Sequence, residues 1–135
     1  MFSDPQINLY VADVEASTAF YADHFGFVET FRTPKQGAPI HVELKLGDFT
    51  LGLAAVDSVR SLHGFSAGTA PSAEVALWAE DVDAAYATLT AAGVRTLSPP
   101  HDFLDGVLRA TWLADPDGHA VQLVSRCEAA HPVAT

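Results

Sequence analysis

The chain has 135 residues, 49% of them hydrophobic and 18% charged, which is the length of one ordinary domain and a composition that excludes a disordered chain. Seven basic residues against 17 acidic ones leave a formal charge of −10, a field that repels phosphate backbones and anionic lipid and so argues against nucleic acid or a membrane as partner. No stretch has the length of a membrane span, and "MFSDPQINLY" has no basic segment followed by an apolar run, so a cytoplasmic protein is expected.

In chain order, "INLYV" alternates and is rich in strand formers. From Asp13 the residues Ala16, Ala19, Phe20 and Phe27 suggest helical spacing, with Asp13 as N-cap and Gly26 as the C-terminal glycine. "FVETFR" predicts a strand, "TPKQGAP" a loop, and "IHVELKLGDFTLGLAAV" a hairpin turning at Gly47 and Asp48. "DSVRSLHGFSAGTAPS", from Asp57 to Ser72, is rich in Ser, Gly and Ala and is expected to be a linker. The order then recurs: strand "AEVALWA", helix "DVDAAYATLTAAG", strand "VRTLS", loop "PPHDFLDG", strand "VLRATWL", turn "ADPDG" and strand "HAVQLVS".

Each half therefore reads β-α-β-β-β, and Asp13 maps onto Asp81, an offset of 81 − 13 = 68. Module 1 is expected over residues 4–57, the linker over 58–72, module 2 over 73–126 and a tail over 127–135. A four-stranded sheet with one helix covers one face and leaves the other bare, so two copies are expected to make an α+β fold: a curled, cup-shaped mixed sheet with its helices outside. Cys127 is the single cysteine; with no base partner in view it reads as incidental rather than as a nucleophile.

"VADVEASTAFYADHFGF" and "LADPDGHAVQLV" resemble the first helix and the last turn and strand of the vicinal oxygen chelate superfamily, which includes glyoxalase I, extradiol dioxygenases and bleomycin-resistance proteins. The resemblance runs from Gln6 to Arg126. It implies two βαβββ modules, commonly a homodimer, and in the enzymes a divalent metal held by His and Glu on the first and last strands of each module. Carried over, those positions are Gln6, Gly52, Glu74 and Gln122. Glycine offers no ligand and a neutral glutamine binds divalent metals weakly, so no metal, no cofactor and no catalytic residue is expected.

Of the histidines, His24, His119 and His131 read as solvated, whereas His41 and Glu43 share a strand face and could join Glu74 in an unorthodox metal or acid/base cluster. Alternation sends Ile7, Leu9 and Val11 toward the helices and Gln6, Asn8 and Tyr10 to the cup. By the same rule the cup receives His41, Glu43, Lys45, Thr50, Gly52 and Ala54 from module 1. Module 2 gives it Glu74, Ala76, Trp78, Ala110, Trp112, Ala120, Gln122 and Val124. His63, Phe65, His101 and Phe103 are expected on loops at the rim. The small residues leave volume, the aromatic ones supply flat walls, and the amides and Glu74 supply anchors. The expected function is metal-independent binding of a hydrophobic, partly aromatic small molecule, as in antibiotic-resistance proteins that sequester a natural product or drug. Two alternatives stay open: a glyoxalase-like lyase, isomerase or dioxygenase working through Glu74 and His41, and a regulatory or structural dimer with an empty cup.

Overall fold

The computed structural model describes residues 1–68 and 70–127; the expected tail beyond Cys127, with His131, lies outside them. The chain divides into two compact units, Met1–Ala70 and Pro71–Thr135. In unit 1, β1 (Ile7–Val11), α1 (Val14–Phe25), β2 (Val28–Thr33), β3 (His41–Leu46) and β4 (Phe49–Ala55) are followed by α2 (Val56–His63). Unit 2 holds β5 (Glu74–Trp78), α3 (Val82–Ala91), β6 (Arg95–Phe103), β7 (Leu108–Ala114) and β8 (Ala120–Arg126). Each unit has a four-stranded mixed sheet, in the orders β1-β4-β3-β2 and β5-β8-β7-β6, so the α+β class and the βαβββ modules are observed.

The repeated helix starts share one chemistry. Asp13 and Asp81 stand extended before their helices, and each carboxylate accepts the amide N–H three residues on, Ala16 and Ala84, at 3.0 Å. Gly26 ends α1 in the left-handed region at φ 76°, which a side chain would resist. The buried stripe of α1 is Val14, Ser17, Thr18 and Tyr21, not the expected Ala16 and Ala19, which are exposed. The true stripe keeps i, i+3, i+4, i+7 spacing but is half hydroxylic, and Thr18 answers its own polarity by donating to Val14 O at 2.8 Å.

Alternation sorts unit 1 as the sequence predicts. Leu9, Val11, Val42, Leu44, Leu51 and Leu53 are buried, and α1 packs on β3 and β4. Each such side chain contributes about 1.5–3 kcal/mol by leaving water. Ile7 departs from the expectation at 55% exposed, since it opens an edge strand.

Two elements differ from the sequence reading. The expected linker contains α2, whose Val56, Val59 and Leu62 recur every three residues and whose end is capped by Gly64 at φ 75°. Short length and the absence of a side-chain cap at Ala55 hid it. The expected loop "PPHDF" belongs to β6, which continues to Phe103. Proline is tolerated there because β6 is an edge strand and its pairing shifts register between Ser98 and His101, so Pro99 and Pro100 sit where no ladder N–H is needed.

α1 and α3 are each also tied to their sheet by a forked arginine. Arg32 on β2 donates to both oxygens of Glu15 at 2.7 and 2.8 Å and to Glu29, while Arg109 on β7 donates to both oxygens of Asp83 at 2.8 Å and to Asp102. Glu15 and Asp83 are repeat equivalents. These exposed pairs fix orientation more than they add stability.

Candidate functional site

The strand registers place Gly52 and Gln122 at equivalent points of the two repeats. Asn8 pairs with Gly52 in unit 1 and Ala76 with Gln122 in unit 2. Glu43 faces Gly52 across β3 and β4, and Trp112 faces Gln122 across β7 and β8, so Glu43 and Trp112 are also equivalents. The two units then use matching positions with roles exchanged. In unit 1 the Gln6 amide donates to Glu43 Oε2 at 3.2 Å and to Asn8 Oδ1 at 2.8 Å. In unit 2 the carboxylate is Glu74, which accepts from Trp112 Nε1 at 3.2 Å and from Gln122 Nε2 at 2.7 Å, one donor on each oxygen.

This donor set does not fit a divalent metal of the His/Glu kind. Gly52 has no side chain, and the place its Cβ would take is held by Asn8: Oδ1 stands in contact distance, Cγ at 2.9 Å and Gln6 Nε2 at 3.1 Å. The four positions contain one carboxylate, and both of its oxygens are engaged by amide and indole donors.

On the same face of unit 1, opposite α1, a cleft of about 380 Å³ opens between the sheet and α2. Its floor is Asn8 and Tyr10 from β1, His41 from β3 and Ala54 from β4. Ser58, Val59, Leu62 and His63 of α2 form the opposite wall, Thr33 and Ile40 line it from β2 and the segment before β3, and Phe65 completes it. Phe65 meets Tyr10 edge to face with ring centres 6.5 Å apart. His41 Nε2–H donates to Glu43 Oε2 at 3.3 Å, and the Phe31 ring centre lies 6.3 Å from that of His41.

Of the expected site residues, the cleft unites Asn8, Tyr10, His41, His63 and Phe65; Gln6 and Glu43 support it by hydrogen bonds, and Gly52 lies beneath Asn8. His63 belongs to α2 rather than to a loop. Ala54, expected on the cup face, lines the cleft, whereas Thr33, Ile40, Ser58, Val59 and Leu62 escaped the reading, mostly because α2 did; the three-residue apolar spacing ending at Gly64 was the available signal.

In unit 2, His101 and Phe103 stand on β6 and not on a loop. His101 stacks on Trp112 with centres 5.5 Å apart at 22°, and Phe103 lies 5.9 Å from the same ring. Trp78 is 64% exposed, with Arg126 Cζ 5.2 Å above its ring. The tryptophans should therefore differ in denaturant melts: Trp78→Ala should cost about 1 kcal/mol or less, and Trp112→Ala roughly 1–3 kcal/mol through lost packing against His101 and Phe103.

His119 is buried, not solvated as expected. Its Nδ1 meets Asp115 Oδ2 at 2.9 Å, and this bond raises its pKa against the opposing effect of burial. Asp115 also accepts the N–H groups of Asp117 at 3.0 Å and His119 at 2.8 Å, so the acidic group closes the turn. The Cys127 thiol is raised by burial and by neighbouring Asp102, whose Oδ1 it faces at 3.6 Å, which keeps it a poor nucleophile.

The fold is shared with many solved proteins. TioX from Micromonospora sp. ML1 is 24% identical, with 90% of this chain and 98% of that one covered at a TM-score of 0.74. A glyoxalase-related enzyme from Fulvimarina pelagi is 26% identical over 89% and 86% of the chains at 0.72, and a lactoylglutathione lyase from Agrobacterium tumefaciens is 22% identical over 89% and 91% at 0.70. A search of curated proteins finds no match. The sequence model of one family matches residues 5–123, and with two βαβββ modules in register the chain belongs to the Glyoxalase/Bleomycin resistance protein/Dioxygenase superfamily.

Proposed function

We propose that the chain is a metal-independent small-molecule binding protein that holds a compact, hydrophobic, partly aromatic compound, such as a natural product or drug that it sequesters. The observation that carries this is the unit 1 cleft. Its volume of about 380 Å³ falls within the roughly 300–1,000 Å³ of small-molecule sites, and it combines Tyr10, Phe65, Val59 and Leu62 with a few polar groups on its floor. Aromatic and aliphatic walls supply affinity, and Asn8, His41 and Ser58 supply orientation. The donor set at Gln6, Gly52, Glu74 and Gln122 supports metal independence.

Titration with planar aromatic compounds checks it. Ala54→Trp, which fills the floor, should weaken binding at least tenfold, and Tyr10→Ala should weaken it by roughly 1–3 kcal/mol, with both variants checked for native melts. Unchanged affinity in both folded variants, or about one equivalent of metal that survives dialysis and is lost in Glu74→Ala, overturns the proposal. The His41–Glu43 pair favours one second reading, an atypical acid/base enzyme of this superfamily; turnover of a bound compound that ceases in His41→Gln would establish it. Two chains are proposed to associate as a homodimer, which the sedimentation mass of the purified protein checks.

A further inference from the structure

We propose that the unit 1 cleft selects phenols and other acidic hydroxyl compounds, and that His41 takes their proton so that they are held as anions. This rests on the cleft being a ligand site and adds the chemistry of what enters it. His41 is the imidazole on the cleft floor, and it stands beside the carboxylate of Glu43. Its Nε2 is engaged by Glu43 Oε2 at 3.3 Å, and Glu43 Oε2 is itself fixed by the Gln6 amide at 3.2 Å. With Nε2–H directed to the carboxylate, Nδ1 is the nitrogen that carries a lone pair. A carboxylate behind an imidazole sets its tautomer and stabilises the imidazolium.

The proton balance is simple. The O–H bond of the ligand breaks, an N–H bond forms at His41 Nδ1, and the ligand oxygen keeps the electron pair. The products are a phenolate, an imidazolium and the unchanged Glu43 carboxylate, so the net charge of the site is the same before and after. The other titratable groups lining the cleft are Tyr10 on β1 and His63 on α2, and Lys45 stands four residues further along β3. Arg32 on β2 is taken up by Glu15 and Glu29. Tyr10 and Phe65, edge to face at the same cleft, suit the planar ring that carries an acidic hydroxyl.

The test uses 7-hydroxycoumarin, whose phenol and phenolate forms have distinct absorbance, beside 7-methoxycoumarin, which has no proton to give. Bound to the full chain, 7-hydroxycoumarin should ionise at a pH about one unit below its value in buffer, which is tenfold tighter binding of the anion than of the neutral form. His41→Gln should abolish that shift and Glu43→Gln should reduce it. The methoxy compound should still bind the wild type and both variants, and any loss of affinity from the changed contact should fall equally on it and on neutral 7-hydroxycoumarin, so that the ionisation shift alone reports the proton transfer. If both coumarins bind but ionisation is unshifted, or the shift persists in His41→Gln, the proton-transfer proposal falls and the binding site stands. If neither coumarin is bound and Ala54→Trp changes nothing, the cleft reading itself falls.

Discussion

Asp115→Ala is expected to lower the unfolding free energy by about 3–5 kcal/mol, the usual result of removing one partner from a buried ion pair. The Asp115 side chain is fully buried, and it serves two backbone N–H groups as well as the His119 ring. Alanine leaves the His119 ring and two backbone N–H groups without their acceptor in the turn between β7 and β8. The check is the denaturant midpoint at unchanged slope; a loss under about 1 kcal/mol would show that the turn closes without the carboxylate. The same pair predicts a pH dependence. Because Asp115 raises the folded-state pKa of His119 above its unfolded value, the stabilisation is present in full below the unfolded pKa of about 6.5 and is lost as pH rises through the folded one. The denaturant midpoint of the wild type should therefore fall across that range, and His119→Gln should flatten that part of the profile.

Gly52→Ala is expected to cost about 1–3 kcal/mol, an overpacking penalty in an otherwise close-fitting sheet. The new Cβ meets Asn8 Oδ1 and Cγ, and β4 lies between β1 and β3, so the backbone has little room to yield. Asn8→Ala removes both clashing atoms. The double variant should be more stable than the sum of the single losses by roughly 0.5–3 kcal/mol, the size of coupling between residues in contact. Strict additivity would show that Asn8 swings clear and does not fill the place of the absent side chain. The same pair of variants tests the cleft, since Asn8 is part of its floor.

Much of this was legible from local chemistry. The N-caps at Asp13 and Asp81 need only a carboxylate three residues before an N–H, and the hairpin at Gly47 needs only a residue that accepts φ 58°. Period-two alternation separates Leu9 and Val42 from Asn8 and His41, because successive strand side chains must point to opposite faces. The family resemblance rested on the same local features, and the registers of both sheets place Gly52 and Gln122 at equivalent positions as the repeat required.

Other features depend on what a residue meets far along the chain. His119 follows a turn and reads as solvated, yet burial against Asp115 makes it part of a closed pair. "PPHDF" reads as a loop because proline lacks an N–H, and only its place on the sheet edge removes the need for one. Helix α2 has too few residues to declare itself by propensity, and its stability comes from the sheet face on which Val59 rests, so the cleft that it completes was invisible too. The sequence by itself determined the repeated α+β modules, the superfamily and the poverty of metal ligands, since these follow from side-chain identity and spacing. Only the tertiary structure decided that α2 closes over Asn8, Tyr10 and His41, with His63 and Phe65, to make a cleft within unit 1, because that closure depends on a helix packing on a sheet face, a long-range contact that no local period encodes.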